Sequence, residues 1–73
     1  MPLNTERMAA NLRGYRAMAR MSQDDVAEAI EVTRQTVSNY ETGKQIPQSD
    51  ILCALADLYG VSLDELVGYR KED

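Results

Sequence analysis

Hydrophobic residues recur at helical spacing along this chain, in five blocks separated by short polar stretches. In the first block the apolar positions fall three or four residues apart, which places them on one helical face: Met8, Leu12, Tyr15 and Ala19. The second block repeats this spacing at Val26, Ala27 and Ile30, and the fourth, residues 50–59, is apolar on most sides. The pattern therefore predicts an all-α fold of five helices, with the fourth as the central core helix.

Small polar residues and glycines mark the predicted helix ends. Side chains that can accept a hydrogen bond from free backbone N–H groups stand at the five starts: Asn4 or Thr5, Ser22, Thr33, Ser49 and Ser62. Ser22 with Asp25 is a near capping box, and Ser62 with Glu65 is a full one. Glycines that can stop a helix follow the last three: Gly43, Gly60 and Gly68. These signals give the five helices definite boundaries.

The second and third predicted helices are joined by a very short connection. Only Glu31 and Val32 separate the end of one from the cap of the next. So short a link does not allow two helices to lie antiparallel side by side, so they must cross at a steep angle. This is the geometry of a helix-turn-helix unit.

The third predicted helix carries an unusual polar face. With Val37 directed towards the core, the opposite side presents amides and hydroxyls, and Arg34 stands at its start: Gln35, Ser38, Asn39 and Thr42. Gln or Asn can bond bidentately to adenine, and Arg to guanine, in the DNA major groove. A face that is merely solvated usually carries Lys and Glu. We therefore predict that this face reads base edges; the alternative is an ordinary polar surface.

Two opposite charges fall on core-facing edges of different helices. Glu41 lies near the buried side of the third helix, and Arg16 lies near the buried side of the first. This placement predicts a partly buried ion pair between them, and the alternative is two unrelated charges at the margin of the core. Breaking one partner of a buried pair costs about 3–5 kcal/mol.

Residue types needed for catalysis and metal binding are scarce. The 73 residues make one domain at most, which we assign to residues 1–68, with 69–73 as a polar C-terminal tail. One cysteine and no histidine exclude an internal disulfide and leave a zinc site almost no ligands. Cys53 lies in the most apolar helix, where we expect a buried, unreactive thiol. The sequence predicts no enzyme, no metal and no cofactor.

Neither export nor membrane insertion is indicated. Glu6 and Arg7 interrupt the N-terminal stretch, which lacks the apolar run of a signal peptide. The longest apolar stretch, residues 51–56, is much shorter than a membrane span. A lone cysteine fits a reducing compartment. We expect a cytoplasmic protein that does not bind a membrane.

The net charge is the main argument against nucleic-acid binding. It is −4, with a sequence pI of about 4.6, whereas DNA-binding domains are commonly basic. An alternative function is therefore a protein-interaction module, an adaptor or antitoxin-like protein with little DNA affinity. The acidity favours this alternative, and the amide-rich face of the third helix favours DNA.

Residues 5–67 resemble the phage Cro and repressor family of helix-turn-helix proteins, also called the XRE family. The matching positions keep the family's order and spacing: Ser22-Gln23, Ala27, Val32, the run from Thr33 to Glu41, Gly43-Lys44, Pro47 and the ending from Tyr59 to Leu66. The resemblance implies a compact, five-helix, lambda-repressor-like domain. It also implies a sequence-specific transcriptional regulator, in most cases a repressor, that binds double-stranded DNA.

The resemblance also assigns roles to residues. It implies base contacts from four residues of the third helix: Arg34, Gln35, Ser38 and Asn39. It implies contacts to the DNA backbone from five others: Gln23, Thr33, Thr36, Thr42 and Lys44. In several phage members the positions of Arg16 and Glu41 form a structural ion pair. Family members usually bind operators of two-fold symmetry as homodimers through the end of the domain, where the apolar candidates are Leu66, Val67 and Tyr69.

Two features depart from the family pattern. Many members carry Gly or Asn at the position of Glu31, where a left-handed backbone would strain a larger residue by about 1–2 kcal/mol. The stretch from Ser22 to Lys44 holds more acidic than basic residues. We therefore expect weak binding to random DNA, with a shallow dependence on salt.

Overall fold

The computed structural model describes residues 5–68, which form five α-helices and no strand. The helices are α1 (Thr5–Met18), α2 (Gln23–Ile30), α3 (Arg34–Thr42), α4 (Ser49–Tyr59) and α5 (Leu63–Val67). The all-α, five-helix prediction is confirmed. None of these described helices combines the length and the apolar composition needed to cross a membrane. The predicted tail at 69–73 lies outside the described residues.

The core is built where α1 packs on α3 and α5, and α2 packs on α3 and α4. Its largest fully buried side chains come from three helices: Met8, Leu12, Val26 and Leu66. Each such side chain contributes about 1.5–3 kcal/mol relative to an exposed position. Met8 and Leu12 confirm the predicted face of α1, but Ala19 is exposed. That prediction is wrong because α1 ends at Met18 and the chain then turns away.

Caps fix the helix starts that direct the chain around this core. Ser22 and Ser62 each form a complete capping box, with Asp25 and Glu65, and Thr33 caps α3 through its hydroxyl. Hydrogen bonds from the backbone N–H and then the hydroxyl of each serine hold the pKa values of these two carboxyls below their usual range.

Two predicted caps have a different outcome. Ser49 is the first residue of α4 rather than its cap. The cap residue is Gln48, whose side chain makes no capping hydrogen bond, so the prediction for Ser49 is wrong. Asn4, the other proposed start of α1, lies outside the described residues.

The turn between α2 and α3 contains a left-handed residue that is not glycine. Glu31 has φ 60° and ψ 47°, and the N–H of Val32 bonds to the carbonyl of Ala27 at 2.9 Å. This hydrogen bond closes the end of α2 in the manner of a Schellman motif. Glu31 therefore has the left-handed backbone conformation that the family resemblance implies at its position, where many members carry Gly or Asn. Arg20, after α1, has φ 58° and shares this feature.

Replacing Glu31 by glycine is expected to stabilise the domain by about 0.5–1 kcal/mol. Glycine removes the strain that a side chain causes on a left-handed backbone, which gains about 1–2 kcal/mol. The greater backbone freedom of glycine in the unfolded chain offsets part of that gain. Urea unfolding of both proteins measures the difference. Glu28→Gly is the matched control, because it removes the same charge from a right-handed, exposed position of α2 and should destabilise. Equal destabilisation by both changes would contradict the strain at Glu31.

The fourth helix is less central than its composition suggested. Only Leu55 and Ala56 are buried, while Ile51 and Leu52 are half-buried against the core. Cys53 is exposed, so the expected buried thiol is wrong. The reason is geometric: α4 packs against α2 and α5, and Cys53 lies on the side away from them.

Candidate nucleic-acid interface

The third helix separates buried from accessible residues along its length. Val37, Tyr40 and Glu41 are buried on one side. Burial of the Tyr40 phenol raises its pKa, and the charge of Asp50 adds a smaller effect in the same direction. The opposite side carries polar residues that are exposed or half-exposed: Arg34, Gln35, Ser38, Asn39 and Thr42. The helix thus presents the polar face that its sequence indicated.

A shallow polar cleft lies where α2 and α3 both begin. It is lined by Gln23 of α2 and by Arg34, Gln35 and Ser38 of α3. The packing of α2 on α3 brings Gln23 beside Arg34, Gln35 and Ser38, which lie more than ten residues later in the sequence. The predicted phosphate contact and three of the predicted base contacts therefore share one accessible surface.

An amide chain runs along this surface. The Gln35 Nε2 donates to the Asn39 Oδ1 at 3.0 Å, and the Asn39 Nδ2 donates to the Gln45 Oε1 at 3.5 Å. The first bond fixes the end of the Gln35 side chain and leaves its carbonyl oxygen and one N–H free. Sequence reasoning missed Gln45, although an amide two residues after the Gly43 stop was a visible signal.

The hydroxyl groups at both ends of α3 are engaged locally. The Thr33 and Thr36 hydroxyl oxygens are 2.8 Å apart, and the Thr36 N–H donates to the Thr33 hydroxyl oxygen. The Thr42 hydroxyl donates to the carbonyl of Ser38 at 3.0 Å. Each of these hydroxyls keeps a donor or an acceptor position free, and Lys44 is exposed just beyond the helix. The residues proposed to contact the DNA backbone are therefore accessible at both ends of α3.

The guanidinium of Arg34 has an acidic neighbour on α2. Its Nε lies 3.9 Å from the Asp24 Oδ1, and both side chains are largely exposed, at 69% and 75%. An exposed pair at this separation contributes between zero and about 1 kcal/mol to stability. The pair therefore contributes little to the stability of the fold. Sequence reasoning missed this contact, because it joins residues of two different helices.

Behind the accessible face, Glu41 is the centre of a buried polar network. The Arg16 Nε donates to the Glu41 Oε2 at 2.7 Å, and its Nη2 donates to the Oε1 at 3.0 Å. The Gln23 Nε2 also donates to that Oε1, at 3.1 Å, and Arg13 donates to the Glu41 carbonyl oxygen. Glu41 is only 2% exposed. The structure thus places Arg16 against Glu41 as predicted, and adds Gln23 and Arg13, which sequence reasoning missed.

The same network reaches the end of α4. The hydrogen bond to Glu41 raises the pKa of Arg16, so the guanidinium stays charged. Burial, with a smaller effect from the charge of Glu41, raises the pKa of Tyr59 to about 12. The Tyr59 ring stacks on Tyr15 with centroids 6.2 Å apart. Glu41, near the end of α3, therefore accepts hydrogen bonds from α1 and α2, and Tyr59 of α4 stacks on α1 beside them.

The residues proposed for a dimer contact have different environments. Leu66 is 0% exposed and belongs to the core, so its assignment to a dimer contact is wrong. Val67 is half-buried, and Tyr69 lies outside the described residues. Leu63, one turn before Val67 on α5, is 44% exposed. Within residues 5–68, no group of three or more acidic, cysteine or histidine residues could hold a metal ion.

Comparisons with known proteins agree with this geometry. A family profile described as helix-turn-helix matches residues 12–66. An uncharacterised helix-turn-helix-type transcriptional regulator of Methanocaldococcus jannaschii is 30% identical over 66 residues, which are 90% of this chain and all of that protein. The cryptic phage CTXphi transcriptional repressor RstR of Vibrio cholerae is 36% identical over 59 residues. That match covers 81% of this chain and 53% of RstR, so the chain spans about half of that relative.

Solved structures show the same similarity. The crystal structure of a transcriptional regulator from Listeria innocua superimposes on this chain with a TM-score of 0.84 at 33% identity. The superposition covers 90% of this chain and 62% of that one.

Proposed function

Because the chain belongs to the helix-turn-helix family, we propose that it is a DNA-binding transcriptional regulator. The resemblance to Cro and repressor proteins is confirmed by the profile match over residues 12–66 and by the relatives. The family and these relatives are transcription regulators rather than enzymes. The alternative of an adaptor with little DNA affinity is not favoured.

In the proposed complex, α3 enters the major groove and reads bases. The reading residues are Arg34, Gln35, Ser38 and Asn39. The residues that hold the DNA backbone are Gln23, Thr33, Thr36, Thr42 and Lys44. The observation that carries this proposal is the accessible polar side of α3, continuous with Gln23 across the cleft and opposite the buried Val37 and Glu41.

The charge of the surface is less unfavourable than the net charge suggests. Glu41 is neutralised inside the fold by Arg16, and the Asp25 carboxylate accepts the Ser22 N–H in the capping box. Few basic residues remain on the accessible side, however. Since log K falls by about 0.9 per log unit of salt for each phosphate neutralised, the salt dependence of binding should be shallow.

The proposed regulator is a cytoplasmic homodimer that represses from an operator of two-fold symmetry. Leu63 and Val67 lie four residues apart on the same side of α5, where they can supply an apolar contact between two copies. A two-fold dimer would set its two recognition helices about 34 Å apart, one turn of DNA.

A selection from random duplexes, followed by titration at two salt concentrations, tests the function. We expect one enriched, two-fold symmetric sequence, bound much more tightly than random duplex. Binding of random duplex should be weak and should change little with salt. Failure to bind any duplex at low salt, including DNA from the protein's own promoter, would rule out the proposal and leave the adaptor function.

A further inference from the structure

The contact between Arg34 and Asp24 crosses the surface proposed to meet DNA. Arg34 is the first residue of α3, and Asp24 is the second residue of α2. Arg34 lines the cleft together with Gln23, Gln35 and Ser38, and Asp24 follows Gln23 in α2. The side chains of Arg34 and Asp24 are both largely exposed. A carboxylate in this position faces the phosphates that a DNA-binding surface must attract. Its presence there needs an explanation.

The geometry of the contact selects which part of Arg34 remains available. The nitrogen nearest to the Asp24 Oδ1 is Nε, at 3.9 Å, so the carboxylate lies nearer to Nε than to the terminal nitrogens of the guanidinium. Within residues 5–68 those two terminal nitrogens make no hydrogen bond. Those nitrogens form an end-on, bidentate pair of donors, which matches the O6 and N7 acceptors of guanine in the major groove.

The charge of Asp24 has a second effect. A phosphate attracts an arginine from many directions, whereas guanine accepts it in one plane. A fixed negative charge beside Arg34 weakens the first kind of contact, because it opposes the approach of phosphate. It does not block the contact with guanine, because the two terminal nitrogens stay free.

We propose that Asp24 is a positioning residue for Arg34, which directs its guanidinium to guanine and lowers its affinity for random DNA. The proposal rests on the function proposed above. In this arrangement an acidic residue of the reading surface increases discrimination rather than opposing binding. Part of the protein's acidity then has a role in recognition.

Asp24→Asn is the test, measured on the selected operator and on random duplex at 50 and 200 mM salt. In random DNA the Arg34 released from Asp24 can neutralise one additional phosphate, which should steepen the salt slope by about 0.9 and make the gain in random-duplex affinity about 3.5-fold larger at 50 mM than at 200 mM salt. Operator affinity should change by less than about twofold, because the electrostatic gain is offset by poorer orientation of Arg34. The ratio of operator to random affinity should therefore fall, and it should fall about 3.5-fold further at 50 mM than at 200 mM salt.

The same substitution in an Arg34→Ala background separates positioning from general charge. Without the guanidinium, Asp24→Asn should raise operator and random affinity by the same factor, and the ratio should not change. Asp57→Asn is the matched control, because it removes one exposed negative charge from α4 and should leave the ratio as in the parent.

The outcomes are distinguishable. If the parent protein prefers an operator, but Asp24→Asn leaves the ratio of operator to random affinity unchanged, this inference is overturned and the proposed function stays intact. A fall in the ratio of the same size in the Arg34→Ala background would also overturn it. A parent protein with no operator preference would overturn the proposed function and this inference together.

Discussion

Replacing Arg16 by alanine is expected to destabilise the domain by about 3 kcal/mol. The change removes both guanidinium bonds to Glu41 and leaves a carboxylate that is 2% exposed without its counter-charge. Losing one partner of a buried pair costs about 3–5 kcal/mol, and the lower end applies because the Arg16 side chain is 22% exposed. For a domain of this size, that loss lowers the melting temperature by roughly 12–24 °C.

Differential scanning calorimetry or thermal circular dichroism measures this effect. Lys44→Ala is the control, because it removes a positive charge from an exposed site and should change the melting temperature little. The double variant Arg16→Met with Glu41→Leu should recover much of the lost stability, since a buried ion pair replaced by apolar side chains is often neutral. A melting temperature unchanged in Arg16→Ala would disprove the role of the pair.

Much of the fold was predictable because its signals are local. Helical spacing placed Met8 and Leu12 on one face, and the capping sequences at Ser22 and Ser62 located the starts of α2 and α5. The failures came where local sequence is ambiguous. By composition Ser49 is a better cap than Gln48, so cap preference indicated the wrong start for α4. An apolar helix such as α4 gives no indication of which side stays exposed, so the environment of Cys53 was predicted wrongly.

The candidate site was predictable only in part, because some of its features are local in the sequence and others depend on contacts between helices. The polar face of α3 follows from the helical repeat around Val37 alone. The contacts of Gln23 with Glu41 and of Asp24 with Arg34 join different helices, so they depend on the crossing of α2 and α3. The short link between the two helices predicted a steep crossing, but it could not predict the distances between individual side chains.

The orientation of Gln35 explains why this residue should contribute strongly to base discrimination. Adenine offers a donor at N6 and an acceptor at N7, so it needs one carbonyl oxygen and one N–H from an amide. The bond from the Gln35 Nε2 to Asn39 uses one N–H and leaves that pair of groups free. The side chain is thus held in a suitable orientation before DNA arrives, which reduces the entropy cost of binding.

Gln35→Ala is expected to lower discrimination at one base pair of the operator by about 1–3 kcal/mol, or roughly 5- to 150-fold in relative affinity. The melting temperature should stay near that of the parent, because Gln35 is exposed and alanine favours a helix. Titration of the selected operator and of its single-base variants measures the change. Gln48→Ala, which removes an exposed amide outside the helices, should leave every base preference intact. An equal loss at all positions of the operator would instead assign Gln35 to the DNA backbone, since a phosphate contact weakens binding without regard to sequence.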